Sequence, residues 1–153
     1  MKHLIRLLIL FILSSNITHA EIVKPNNGIE PFQVVKIQLR SLKDNDQPYE
    51  NAGIEQTWEF AHPSNRAYTG PIQKFTRMMY APSYAVMLNH LKHDILDVKL
   101  EENVAYFFIE LTAEDGKMYG FKWTLNKVNE EGIFKNCWMT TAVSTPMPLS
   151  TSS

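Results

Sequence analysis

The sequence predicts an α+β fold: N-terminal helices packed on a curved antiparallel meander of about four strands. Three observations predict it. In the first half, apolar residues recur at spacings of three and four. Near Asp94 the rhythm changes to strict alternation. Turn signals at Asp115-Gly116 and at Asn129-Glu130-Glu131-Gly132 then divide the second half into short antiparallel runs.

Residues 21–30 read as an irregular lead-in, because Pro25 and Asn26-Asn27-Gly28 break regular structure. A first helix starts at Glu30-Pro31, since proline suits the first helical position and an acid suits the positive helix end. Phe32, Val35, Leu39 and Leu42 fall on one face, with Val34 and Ile37 widening the stripe. Asp44-Asn45-Asp46-Gln47-Pro48 ends it. A second helix spans Gly53 to Ala61, with Ile54, Trp58 and Ala61 aligned. His62-Pro63-Ser64-Asn65 reads as a stop. Thr69-Gly70-Pro71 opens a third helix carrying Ile72, Phe75 and Met79, and a turn or short helix after Pro82 gathers Tyr84, Met87, Leu88 and Leu91.

Leu96, Val98 and Leu100 begin the alternating half. Val104 to Thr112 is almost continuously apolar, the pattern of a strand covered on both faces. Tyr119, Phe121, Trp123 and Leu125 alternate with Met118, Gly120, Lys122 and Thr124. Ile133 to Val143 supplies the last strand. Residues 144–153, with Pro146 and Pro148, read as a disordered tail. The sheet face turned away from the helices looks too apolar for water. Either the sheet curls into a cone around a pocket, or it pairs with another subunit.

The 153 residues suit one domain, residues 31–143, and 44% apolar with 20% charged residues is an ordinary globular balance. Residues 1–20 carry the marks of an export signal: Lys2 and Arg6, an apolar run from Leu7 to Leu13, and Thr18-His19-Ala20 before the cut. The run is too short for a membrane span of about 20 residues. Export to the periplasm or the exterior, with no membrane anchor after cleavage near Ala20, is the expectation. Losing Lys2 and Arg6 takes the formal charge from −1 to about −3. That mild, scattered charge gives no footprint for nucleic acid. Cys137, the only cysteine, is a buried thiol or an intermolecular partner.

One stretch resembles a known family. Gly53-Ile54-Glu55-Gln56-Thr57-Trp58-Glu59-Phe60-Ala61, Asn65-Arg66, Thr69-Gly70-Pro71, Phe75, Met78 and Tyr84 resemble the family called domain of unknown function 4864. Val35, Gln38, Leu39, Leu42, Asn45 and Asp46 continue the match, as does Cys137-Trp138-Met139-Thr140. The resemblance covers roughly residues 31 to 143. It implies the cone-shaped fold of the nuclear transport factor two-like superfamily, shared with ketosteroid isomerase and scytalone dehydratase, and a pocket inside it. That family has no established activity, so the resemblance carries over no catalytic residue. The acidic and tyrosine side chains of the isomerase relatives have no matching pattern here.

The residues themselves assemble no catalytic set, metal site or cofactor motif. His90, His93 and Asp94 form the nearest constellation to zinc ligands, but a complete ligand set is missing. Arg66 reads as a solvated side chain beside a turn. Trp58, His62, Tyr68, Tyr80, Tyr84 and Trp138 are the pocket candidates, aromatic bodies with polar tips that orient a ligand. The functional expectation is non-catalytic binding of a small molecule or a protein. An isomerase- or dehydratase-like enzyme, checked through His62, Asp94, Tyr68 and Tyr84, and a sheet-mediated homodimer are the alternatives.

Overall fold

A computed structural model describes residues 21–149 of the chain. The export-signal reading of residues 1–20 lies outside the described residues, as do residues 150–153. The described chain is α+β, with its helices preceding its strands. Helix α1 covers Pro31–Lys43, α2 Ala52–Glu59, α3 Pro63–Thr69, α4 Ile72–Met79 and α5 Pro82–Ala85. Strands β1 (Lys92–Leu100), β2 (Val104–Thr112), β3 (Met118–Lys127) and β4 (Trp138–Val143) form an antiparallel meander in that spatial order. A fifth strand, β5 (Met147–Leu149), pairs with β3. Among the described residues no helix is long and apolar enough to cross a membrane.

The first helix buries Pro31, Val34, Val35, Gln38, Leu39 and Leu42. The stripe is thus rotated from the expected one. Phe32 is 45% exposed, and a polar residue, Gln38, lies in the middle of the buried face. Between α1 and α2 the chain turns on Asn45, which is wholly buried. Its side-chain oxygen accepts from the Ile54 N–H at 3.0 Å, and its backbone oxygen accepts from the Gly53 N–H at 2.9 Å. The two helices meet so closely at Gly53 that a Cβ there would lie 2.1 Å from the Ser41 carbonyl oxygen. Only glycine permits that approach.

The expected stop at His62-Pro63-Ser64-Asn65 is instead the start of α3. His62 ends the preceding turn and caps the next helix: its Nδ1 accepts from the Ser64 N–H at 3.1 Å. Proline at the first position of α3 lacks only an N–H that would have no helical partner anyway. Arg66 on this helix corrects the solvated reading. Its guanidinium donates to the carbonyls of Ala61, Trp58 and Glu59, each at 2.9 Å, and lies 5.1 Å from the Trp58 ring. It closes the C-terminal end of α2, where carbonyls lack helical partners.

In the sheet, the strand expected to be covered on both faces is covered on one. Ala105, Phe107, Ile109 and Leu111 of β2 are buried, whereas Tyr106 between them is 42% exposed. Phe121, Trp123 and Leu125 of β3 join the buried face, as the alternation predicts. On the other face the Phe108 ring lies across Gly120, where a Cβ would come within 2.7 Å of Cζ. That ring covers backbone the glycine leaves bare. Asp115-Gly116 makes the β2–β3 hairpin, with Gly116 at φ +83.

The last meander strand starts later than expected. Residues 133–136 belong to a loop, with Ile133 88% exposed and Asn136 at φ 63. The chain reaches β3 only at Trp138. The disordered-tail expectation is also corrected at its start. Met147–Leu149 pair with Met118–Gly120, because β4 leaves that end of the β3 edge open. Pro148 is tolerated there, as prolines are on edge strands.

Candidate functional site

A cleft of about 310 Å³ lies between the helices and the β3–β4 side of the sheet. Its polar part is built from three distant segments. Gln38 projects from the buried face of α1, Trp123 from β3 and Thr140 from β4. The Gln38 Oε1 accepts from the Thr140 hydroxyl at 2.7 Å and from the Trp123 Nε1–H at 3.0 Å. The Gln38 amide nitrogen donates to the Thr57 carbonyl at 3.1 Å. All four residues are buried. A side-chain amide can serve them because it offers donors and acceptor together.

Thr57 contributes an unusual atom. Among the described residues its hydroxyl is the one buried side-chain polar atom with no hydrogen-bond partner. Buried hydroxyls are ordinarily satisfied, and leaving one unpaired costs about 1–3 kcal/mol. The rest of the lining is apolar or neutral. Phe75, Met78, Met79 and Met87 form the walls, and Ser64, Asn65 and Tyr68 the more exposed rim. Among the described residues, no aspartate, glutamate, histidine, lysine, arginine or cysteine lines the cleft.

Two of the six sequence-predicted pocket residues belong to this lining. Tyr68 stands at the rim, 80% exposed. Tyr84 lines the cleft and its hydroxyl donates to the Val143 carbonyl at 3.2 Å. The other four are placed elsewhere. Trp58 packs its ring 5.1 Å from Phe75, beneath Arg66. His62 is spent on capping α3, its Nδ1 also 2.8 Å from the Ser64 hydroxyl. Burial pushes its pKa down. Tyr80 is half exposed and donates to the Asn51 side-chain oxygen at 2.6 Å. Trp138 is buried on β4, with the Lys127 ammonium 5.1 Å from its ring.

Sequence reasoning missed the residues that make the polar part: Gln38, Thr57 and Thr140. The usable signal was Gln38 itself, a polar residue in step with Val35, Leu39 and Leu42. The sequence pattern places Trp123 in an alternating strand run and Phe75 in a helical stripe with Ile72 and Met79, but marks neither as lining a cleft.

The histidine pair lies apart from the cleft lining. His90 is buried, its Nδ1–H donates to the Met87 carbonyl at 2.7 Å, and its Nε2 accepts from His93 Nδ1–H at 2.6 Å. The carbonyl can only accept, which fixes both tautomers. Burial, with smaller effects from His93 and Lys43, lowers the His90 pKa to about 4. Among the described residues no group of three or more metal-ligating side chains assembles, here or elsewhere. The Cys137 thiol is buried and its pKa raised by burial, an inert setting rather than a nucleophile's.

No family model, curated protein or solved structure matches this chain.

Proposed function

We propose that the protein is an exported, non-catalytic binding domain of the nuclear transport factor two-like kind, akin to the domain of unknown function 4864 family. Its ligand is an uncharged small molecule with an apolar body and one hydroxyl or carbonyl group, held in the cleft between the helices and the sheet. The observation that carries the reading is the unpartnered Thr57 hydroxyl in the lining of a cleft otherwise neutral and largely apolar.

Small-molecule sites are concave, mostly apolar and about 300–1,000 Å³, with few polar groups that fix orientation. A charged ligand here would lose its hydration with no counter-ion in the lining, at a cost of several kcal/mol. A neutral ligand loses little, and one polar group on it can complete the bonding of Thr57. The three methionines adapt their shape to an apolar body more readily than branched residues would. General acid–base chemistry needs a titrating group at the substrate, and the lining offers only tyrosine. Of His62, Asp94, Tyr68 and Tyr84, the two tyrosines belong to the lining while His62 and Asp94 lie outside it, which favours binding over isomerase-like catalysis.

The test is a thermal-shift and calorimetry panel of neutral aromatic alcohols, ketones, sterols and fatty alcohols, each beside its carboxylate analogue. The expected result is binding of neutral members and weak or no binding of their carboxylates. Thr57→Val should weaken the hydroxylated binders about tenfold, the loss of one buried hydrogen bond, without lowering the melting temperature of the free protein. Absence of any neutral binder, or equal affinity for the Thr57→Val variant, overturns the reading.

A further inference from the structure

β1 is an open edge of the sheet: among the described residues it pairs only with β2. The direction of its peptide groups follows from the hairpin. The Glu101 N–H donates to the Val104 carbonyl at 2.8 Å, so residues 97, 99 and 101 turn their peptide groups toward β2. Val98 and Leu100 turn theirs outward. The Val98 N–H accordingly has no strand partner and is held by the carboxylate of Asp97 at 2.9 Å. Aliphatic side chains stand along the same edge: Leu96 is 55%, Val98 45% and Leu100 61% exposed. Asp97 and Lys99 alternate with them.

We propose that a second copy of this chain docks on this edge, β1 against β1 and antiparallel, with the two-fold axis through Val98. The register favours a second copy. Centred on Val98, the outward peptide groups of the two Val98 residues exchange two N–H···O bonds. Asp97 of each copy then faces Lys99 of the other, and Leu100 faces the Leu96 end of the opposing strand. Registers centred on Asp97 or Lys99 set like charges opposite each other, which is destabilising. They also point the central peptide groups away from the partner strand.

The edge is therefore complementary to itself, as an isologous interface requires. Docking releases the Asp97 carboxylate from Val98 and frees Lys99 from its exposed pair with Glu101, 2.8 Å away. Exposed pairs of that kind contribute little, so the exchange is cheap. Unpaired strand edges are the usual templates for strand addition.

The test is sedimentation velocity on the mature chain from ~5 to ~500 µM, a range that spans weak self-association. A monomer–dimer equilibrium is expected. Asp97→Lys alone and Lys99→Asp alone should each weaken the dimer at least about tenfold by opposing like charges. Mixed together, the two single variants should form a heterodimer, and the double variant Asp97→Lys/Lys99→Asp should recover self-association. Circular dichroism establishes that each variant is folded, and the mixing experiment distinguishes lost pairing from lost structure. A monomer throughout the range, or a dimer indifferent to both charge reversals and to mixing, overturns the proposal.

Discussion

Gln38 and Thr140 join the first helix to the last meander strand by a side-chain hydrogen bond of 2.7 Å across 102 residues of sequence. The same Gln38 oxygen also holds the Trp123 indole N–H. One amide therefore satisfies groups from β3 and β4 while its own nitrogen reaches the Thr57 carbonyl of α2. Gln38→Leu keeps the size of the side chain and removes the acceptor of the Thr140 hydroxyl, leaving the Trp123 N–H only its longer contact with that hydroxyl at 3.3 Å and the Thr57 carbonyl only the Phe60 N–H. The expected loss is about 2–3 kcal/mol, the cost of unsatisfied buried groups. Urea denaturation monitored by tryptophan fluorescence checks it, and a loss below about 0.5 kcal/mol would mean that water or rotation of Thr140 replaces the amide.

Gly53→Ala should be among the most damaging single changes in the chain. The added Cβ meets the Ser41 carbonyl oxygen at 2.1 Å and the Asn45 Cα at 2.8 Å. Both neighbours are backbone, so relief requires α1 and α2 to separate. A loss of about 3 kcal/mol or more is expected, at the upper end for overpacking. Equal stability of the two proteins would refute the close contact.

Arg66→Lys tests a geometric role rather than a charge. Arginine's fork reaches three carbonyls and lies 5.1 Å from the Trp58 ring and 5.3 Å from Phe134. Lysine keeps the charge but lacks the planar fork. Arg66→Lys should lose about 1–2 kcal/mol, the worth of one or two such hydrogen bonds, and Arg66→Ala more. Thermal melts of the three proteins provide the comparison.

The histidine pair predicts a loss of stability in mild acid. His90 is neutral when folded, with its pKa lowered to about 4 chiefly by burial. Unfolded, the same imidazole titrates near 6.5. Between those values the unfolded state binds the extra proton, so stability rises with pH. The contribution is fully present above about pH 6.5 and is lost as pH falls toward 4, on the order of 2–3 kcal/mol in all. Denaturation midpoints measured from pH 7.5 to 4 should fall accordingly. His90→Gln, which does not titrate, should flatten that slope; an unchanged slope would assign the acid sensitivity to other groups.

Much of the architecture was legible because periodicity is a local property. The change of rhythm near Asp94 located the start of the sheet, and Asp115-Gly116 located its central hairpin. What escaped was decided by partners distant in sequence. Nothing near Pro63 announces that His62 will cap a helix rather than only end one. Met147-Pro148-Leu149 becomes a strand because β4 begins at Trp138 and diverges from β3 before reaching Met118. The cleft was hardest to foresee. Tyr68 and Tyr84 were found because aromatics with polar tips are conspicuous. Gln38, Thr57 and Thr140 acquire meaning only when α1, α2 and β4 meet.

β5 gives the far end of the chain a mechanical duty. Strand β4 shields one half of the β3 flank, and those three residues shield the other, with a Leu149 methyl near Gly120. A protein clipped after Val143 would bare the backbone of Met118 to Gly120. It would exchange a short, proline-bearing edge for bare strand backbone on the rim opposite β1, and its tendency to clump should rise even though its helical half is intact.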